Sequence, residues 1–165
     1  MKIYGVVGWK NSGKTTLVER LVTEITARGL TVSTVKHAHH TFDVDQEGKD
    51  SFRHRSAGAR EVLLASRNRW ALMHEMHDDT EPSLSELLQK LSSVDLVLIE
   101  GYKRDNHAKL EAHRAETKQG LLASKDQTVS AVASNYVVAG LSVPQFDLDD
   151  VTGIASYILK EVGLE

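Results

Sequence analysis

Apolar positions in this chain come either as short solid runs or as spaced stripes, and each kind predicts an element. Ile3 to Val7 is largely apolar, is punctuated by Gly5 and stops at Gly8, which predicts a buried strand. From Thr15 to Arg28 the residues Leu17, Val18, Leu21, Val22 and Ile25 share one face at helical spacing. Gly29 is a natural stop for that helix, with Arg28 in its last turn. Leu30 to Lys36 is rich in β-branched residues and reads as a second strand. Strand, glycine-rich loop, helix, strand is the pattern of a parallel sheet with crossover helices.

The pattern then changes. KHAHHTFDVDQEGK, from Lys36 to Lys49, offers few core positions and reads as an exposed loop. Asp50 is placed to cap a short helix over Ser51 to Ala59, with Gly58 at its fraying end. Glu61 to Ala65 and Trp70 to Met76 predict two strands around a turn near Ser66 to Arg69, an antiparallel hairpin at the sheet edge. Ser83-Leu84-Ser85-Glu86, just after Pro82, fits a capping box opening a helix that reaches about Leu91. Val94 to Ile99 is the most continuously apolar run, suits a central strand covered on both faces, and ends at Glu100-Gly101. Leu110 to His113 and Val129 to Ala133 are weaker strands, and Asn135 to Ala139 fits loop or strand. Asp149 or Asp150 caps a last helix whose stripe is Val151, Ile154, Ala155, Ile158, Leu159 and Val162.

Length and composition set limits on this picture. At 165 residues one domain spanning 1–165 is expected, and 41% apolar content supports a real core. Twenty basic against 23 acidic side chains leave a net charge of −3, with no basic stripe interleaved with aromatics, which argues against a nucleic-acid partner. Cysteine is absent, so disulfides, thiolate nucleophiles and cysteine-held metals are excluded. No run approaches the length of a membrane span, and the first residues lack a signal-peptide pattern. A cytoplasmic protein is the expectation.

One segment changes the reading from fold to chemistry. Gly8-Trp9-Lys10-Asn11-Ser12-Gly13-Lys14-Thr15 matches G-x-x-x-x-G-K-[ST] and sits between a predicted strand and a predicted helix. The two glycines let the chain curl tightly. Successive backbone N–H groups then face an anionic oxygen, and the helix start adds unpaired N–H groups and a positive dipole end. Lys14 is placed to reach β- and γ-phosphates and Thr15 to put its hydroxyl on Mg²⁺, while Thr16 lies further into the helix. Lys10 adds local positive charge. The expected fold is therefore α/β, a P-loop NTPase-like three-layer sandwich with a mostly parallel central sheet and an antiparallel edge hairpin.

Such a site needs a carboxylate at a neighbouring strand end. Asp95 and Glu100 bracket the most apolar strand, and because ligands gather at the carboxyl ends of parallel strands, Glu100 is selected and Asp95 is sent to the opposite edge. Asp43 and Asp45 are further candidates, for a magnesium-bound water or for positioning an attacking water, and the sequence does not choose between them. His37, His39 and His40 crowd together beside Lys36, but without cysteine and with no zinc-type spacing they suit phosphate, substrate or partner contacts better than a metal.

GWKNSGKTT, the segment from Lys36 to Ala59 and LVLIEGYK from Leu96 to Lys103 resemble the bacterial molybdopterin-guanine dinucleotide biosynthesis adapter family. The likeness runs from Met1 to about Arg114 and is most specific in the middle segment. It implies a small P-loop fold, a homodimer, GTP binding with Mg²⁺ and weak GTPase activity. It also implies a role beside a molybdenum cofactor guanylyltransferase and the molybdenum-insertion protein, with a molybdopterin-type cofactor as a possible ligand. On this chain it implies Gly8 to Thr16 as the phosphate loop, Glu100 at the acidic position, and Lys36, His37, His39, His40, Asp43 and Asp45 in the family's own loop. The guanine-reading Asn-Lys-x-Asp motif is absent; Ser124-Lys125-Asp126 and the neighbourhood of Asn135 are the substitutes available. Two rival readings stand: a P-loop small-molecule kinase, and a non-catalytic interaction protein that nucleotide merely stabilises.

Overall fold

The computed structural model describes residues 1–38, 42–77 and 80–165. The chain divides into two compact units, one of Met1–His37 with Leu88–Glu165 and one of Ala38–Leu87.

The first unit is built on a six-stranded sheet. Its strands are β1 (Lys2–Val7), β2 (Val32–Lys36), β5 (Leu96–Glu100), β6 (Lys109–His113), β7 (Val129–Ser134) and β8 (Gln145–Asp147), in the spatial order β2-β5-β1-β6-β7-β8. Every pairing is parallel, as crossover connections require. β5 is buried at every position, which is why its sequence is unbroken Leu, Val, Leu and Ile. Helices α1 (Lys14–Ala27) and α4 (Val151–Glu161) cover one face, where Tyr4, Val6, Leu96, Leu98, Leu110 and Ala112 meet Leu21, Ile25, Ile154 and Ile158. Each of the Val, Leu and Ile side chains among them contributes about 1.5–3 kcal/mol by leaving water. Asp150, one of the two expected caps, accepts from the Gly153 N–H and opens α4.

On the other face, loop groups from residues 103–105 and 122–128 meet β6. Lys109, Glu111 and His113 alternate with the core residues Leu110 and Ala112, so they point away from the helices, yet all three are buried. Lys109 Nζ donates to the carbonyls of Lys103 and Asp105 and, at 2.7 Å, to Thr128 Oγ1. Glu111 accepts from the Leu122 and Ala123 N–H groups, both at 2.9 Å. These bonds satisfy charges that would otherwise be costly to bury.

The second unit contains α2 (Asp50–Ser56), β3 (Glu61–Ala65) and β4 (Trp70–His74), and α3 (Leu84–Leu88) begins in it. Lys49, not Asp50, is the N-cap of α2, and Asp50 is its first helical residue, where a carboxylate suits the dipole. Gly58 follows the C-cap with φ of 100°. β3 and β4 form the expected antiparallel hairpin, but its ladder closes on itself as a separate two-stranded sheet, and the edges of the large sheet are β2 and β8. The capping box at α3 is made: Ser83 Oγ and N–H both reach Glu86 Oε2, and the Glu86 N–H returns to Ser83 Oγ. No helix among the described residues is long and apolar enough to cross a membrane.

Candidate functional site

The loop between β1 and α1 is shaped by its glycines. Gly8 has φ of 150°, and a Cβ there would overlap the Ala112 carbonyl oxygen and lie 2.5 Å from Ser12 Oγ. Gly13 is the N-cap of α1 at φ of 92°, and Asn11 also has positive φ, 64°. The curl closes on itself through the Ser12 N–H to Trp9 O bond at 3.2 Å and the Leu17 N–H to Gly13 O bond at 3.0 Å. Lys14 Nζ donates to Trp9 O at 2.7 Å, so its ammonium lies across the loop. Burial lowers the Lys14 pKa, and the Lys103 and Lys36 ammonium groups push the same way against the opposing Glu100 carboxylate. An anion placed among these cations would relieve that repulsion.

Glu100 closes the site at the carboxyl end of β5, next to β1. Its Oε1 accepts from Thr15 Oγ1 at 2.9 Å and lies 3.3 Å from Lys36 Nζ, and its side chain is only 11% exposed. β2 pairs Lys36 with Glu100, so strand register alone brings this lysine to the carboxylate. Asp95, at the other end of β5, is tied to the Thr31 N–H at 2.7 Å and to the Thr31 hydroxyl at 2.6 Å, as its place on the opposite edge implies. Gly101 turns at φ of 98° against His37 Cβ, and the His37 ring packs 4.7 Å from that of Tyr102. Trp9 donates from its indole N–H to Gly120 O at 2.8 Å while Lys103 Nζ sits 4.3 Å over its ring. Lys10 and Asn11 are exposed, as is Thr16 in the first helical turn.

The residues present fit a polyphosphate with a hard divalent cation. Thr15 and Glu100 offer oxygen donors side by side, which is the donor type such a cation takes alongside phosphate oxygens. Ser12 Oγ is buried and has no hydrogen-bond partner among the described residues, a polar atom in the loop waiting for an oxygen to bond.

Asp43 and Asp45 belong to the second unit, where both are held by Arg55. Arg55 forks onto Asp45 at 2.8 and 3.2 Å, reaches Asp43 at 2.8 Å and Glu75 at 3.3 Å, and stacks over Phe52. The guanidinium holds the Asp45 carboxyl below the usual carboxylate range. His39 and His40 lie outside the described residues. Arg114 carries no motif signal in the sequence, yet its Nε lies 3.1 Å from where a Cβ on Gly13 would stand. The Lys103–Trp9 pair is equally unmarked; no spacing rule ties a loop residue after β5 to the glycine-rich loop.

A parallel sheet with a G-x-x-x-x-G-K-[ST] loop between its β1 strand and first helix defines the class: this is a P-loop NTPase-like α/β protein. The family described as Molybdopterin guanine dinucleotide synthesis protein B matches residues 3–135, and the chain belongs to that family of molybdenum-cofactor biosynthesis adapters. The molybdopterin-guanine dinucleotide biosynthesis adapter protein of Escherichia coli (strain K12) is 40% identical over 157 residues, covering 92% of this chain and 88% of that protein. The corresponding protein of Haemophilus influenzae is 40% identical over 158 residues, covering 94% and 86%. The crystal structure of Bacillus subtilis MobB is similar with a TM-score of 0.78 at 27% identity, over 98% of each chain. That of the MobB homologue from Bacillus stearothermophilus has a TM-score of 0.74 at 27% identity, over 100% of each.

Proposed function

We propose that this protein binds GTP with Mg²⁺ in the loop from Gly8 to Thr16, hydrolyses it slowly, and uses nucleotide state to assist guanine dinucleotide molybdenum cofactor assembly. The observation that carries the reading is the Thr15 hydroxyl on the Glu100 carboxylate at the mouth of the glycine loop. Loop N–H groups and Lys14 hold β- and γ-phosphate oxygens. Thr15 and Glu100 hold the cation, which when bound neutralises phosphate charge. Lys36, already beside Glu100, follows the terminal phosphate, and with His37 it starts the segment that leads to the second unit.

Asp43 and Asp45 keep their proposed part in hydrolysis, and Asp45 a part in the metal site. His39 and His40 are proposed as ligand contacts in the same segment. A homodimer in the cytoplasm, working beside a molybdenum cofactor guanylyltransferase and a molybdenum-insertion protein, completes the proposal. The role named in its relatives supports the part in cofactor assembly.

The test is calorimetry of the full chain with GTP, ATP and GDP, with and without Mg²⁺, on protein of measured mass. Magnesium-dependent GTP binding that Lys14→Ala removes is the expected result. Folded protein with no magnesium-linked affinity for any nucleoside triphosphate overturns it. Efficient phosphoryl transfer to an added small molecule would instead favour a kinase.

A further inference from the structure

Two lysines meet Trp9. Lys14 Nζ donates to its carbonyl oxygen at 2.7 Å, and Lys103 Nζ lies 4.3 Å over its ring. We propose that Lys103, which lies outside the glycine-loop motif, is the residue that tells a nucleoside triphosphate from a diphosphate: its ammonium leaves the Trp9 ring and binds the terminal phosphate. The inference rests on the phosphate-loop reading above and adds a discriminating residue to that site.

Three observations support it. The first is position. In a G-x-x-x-x-G-K-[ST] loop the lysine reaches the β- and γ-phosphates. The side of the loop where the Lys14 ammonium lies, at Trp9, is therefore the terminal end of the phosphate chain. Lys103 stands at that end. After burial, its charge is the largest influence on the Lys14 pKa, ahead of Glu100 and Lys36, as a near neighbour's would be.

The second is the lack of a counter-ion. Lys36 is already paired with Glu100 at 3.3 Å. The Lys103 ammonium makes no ion pair or hydrogen bond among the described residues, and an aromatic face is its partner there. A phosphate oxygen attracts an ammonium more strongly than the quadrupole of a ring does, so an arriving terminal phosphate wins this lysine.

The third is the way the loop from Gly101 to Ala108 presents the side chain. Gly101 and Tyr102 both have positive φ, 98° and 50°, and for a residue as bulky as tyrosine that is strained. Such strain persists only where the surroundings hold it. Here the Tyr102 ring packs 4.7 Å from that of His37, and the buried Lys109 ammonium donates to the carbonyls of Lys103 and Asp105. The His107 ring seats the far end of the loop against β1, in the place that a Cβ on Gly5 would take. The Lys103 backbone is thus fixed on either side, while its side chain keeps a flexible stem.

The test measures binding of GTP and GDP, and of inorganic tripolyphosphate and pyrophosphate, each with Mg²⁺, by calorimetry on wild type, Lys103→Met and Lys103→Arg. The inorganic pair keeps the result independent of base preference. Lys103→Met should lose about 10- to 150-fold in affinity for GTP and tripolyphosphate, the range of a hydrogen bond to a charged group. GDP and pyrophosphate affinities should change by less than about fivefold, the range of an exposed charge acting without direct contact. Lys103→Arg should restore triphosphate binding. A lysine that only braces Trp9 would instead weaken all four ligands alike. Lysine acetylation of the full wild-type chain, read by mass spectrometry, needs no variant: GTP should shield Lys14 and Lys103, and GDP should shield Lys14 alone. Unchanged triphosphate affinity in Lys103→Met, equal losses for triphosphates and diphosphates, or Lys103 acetylated as fast with GTP as with GDP overturns the role of Lys103 and leaves the phosphate loop standing. Wild-type protein that binds none of the four ligands overturns both.

Discussion

Gly8→Ala is the sharpest test of how the phosphate loop is held. The added methyl meets the Ala112 carbonyl oxygen, a backbone atom of β6 that the sheet fixes in place, and comes within 2.5 Å of Ser12 Oγ. Ser12 can turn away; the carbonyl cannot. At φ of 150° the backbone also lies where L-residues are strained, at about 1–3 kcal/mol. Forcing the overlap adds about 1–3 kcal/mol, so a total of about 2–6 kcal/mol is expected. For a chain of this size each kcal/mol moves the melting temperature by about 2–4 °C, which gives a fall of roughly 4–24 °C. Gly29→Ala is the control. It has φ of 87° but nothing within 4 Å of its Cβ, so it should lose only the backbone part, about 1–2 kcal/mol. Scanning calorimetry of the two variants decides the matter. If Gly8→Ala melts within about 3 °C of Gly29→Ala, the loop is not seated against β6 and the geometry argued for the site is wrong.

Glu100→Gln should cost little stability without ligand, about 1 kcal/mol or less, since Lys36 is largely exposed and the Thr15 hydrogen bond survives in neutral form. It should nonetheless lower magnesium-dependent GTP affinity at least about tenfold in calorimetry, and unchanged magnesium dependence removes Glu100 from the site. His107 has both ring nitrogens buried without hydrogen-bond partners, and burial followed by the Lys109 ammonium holds its pKa below the usual imidazole value, against Asp105 and Asp126. The unfolded chain therefore takes up this proton first, and stability should fall as pH drops below about 6.5. Urea midpoints of His107→Leu and wild type at about pH 5 and about pH 7.5 should differ in slope, and equal slopes refute the assignment. Asp43→Asn and Asp45→Asn, assayed separately for phosphate release from GTP, should each slow hydrolysis; wild-type rates in both would show that the acidic pair has no part in it.

Periodicity and motif carried the reading of the long elements because each buries one stripe. Leu17, Leu21 and Ile25 on α1, and Ile154 and Ile158 on α4, are where their spacing places them. The position of Glu100, beside Thr15 at the carboxyl end of its strand, followed from strand direction. β6 resisted the same logic. Lys109, Glu111 and His113 alternate like a solvent face, but loops bring the carbonyls and N–H groups that satisfy Lys109 and Glu111, and backbone partners from distant loops leave no trace in a hydrophobic pattern. β8 is three residues long and starts just after Pro144, too short to show alternation. The hairpin was legible as a hairpin, yet which sheet it joins depends on hydrogen bonds its own strands do not encode.

The chain has only two tryptophans, and they fall one to each unit: Trp9 inside the phosphate loop and Trp70 on the hairpin. The protein thus carries two separable optical probes. With Trp70→Phe, emission reports on an indole hydrogen-bonded to Gly120 O beneath the Lys103 ammonium, so ligand that moves that lysine will change brightness or colour. With Trp9→Phe, it reports on a largely water-exposed ring. Stopped-flow traces from the pair would time events in one half of the chain against those in the other, with no dye attached.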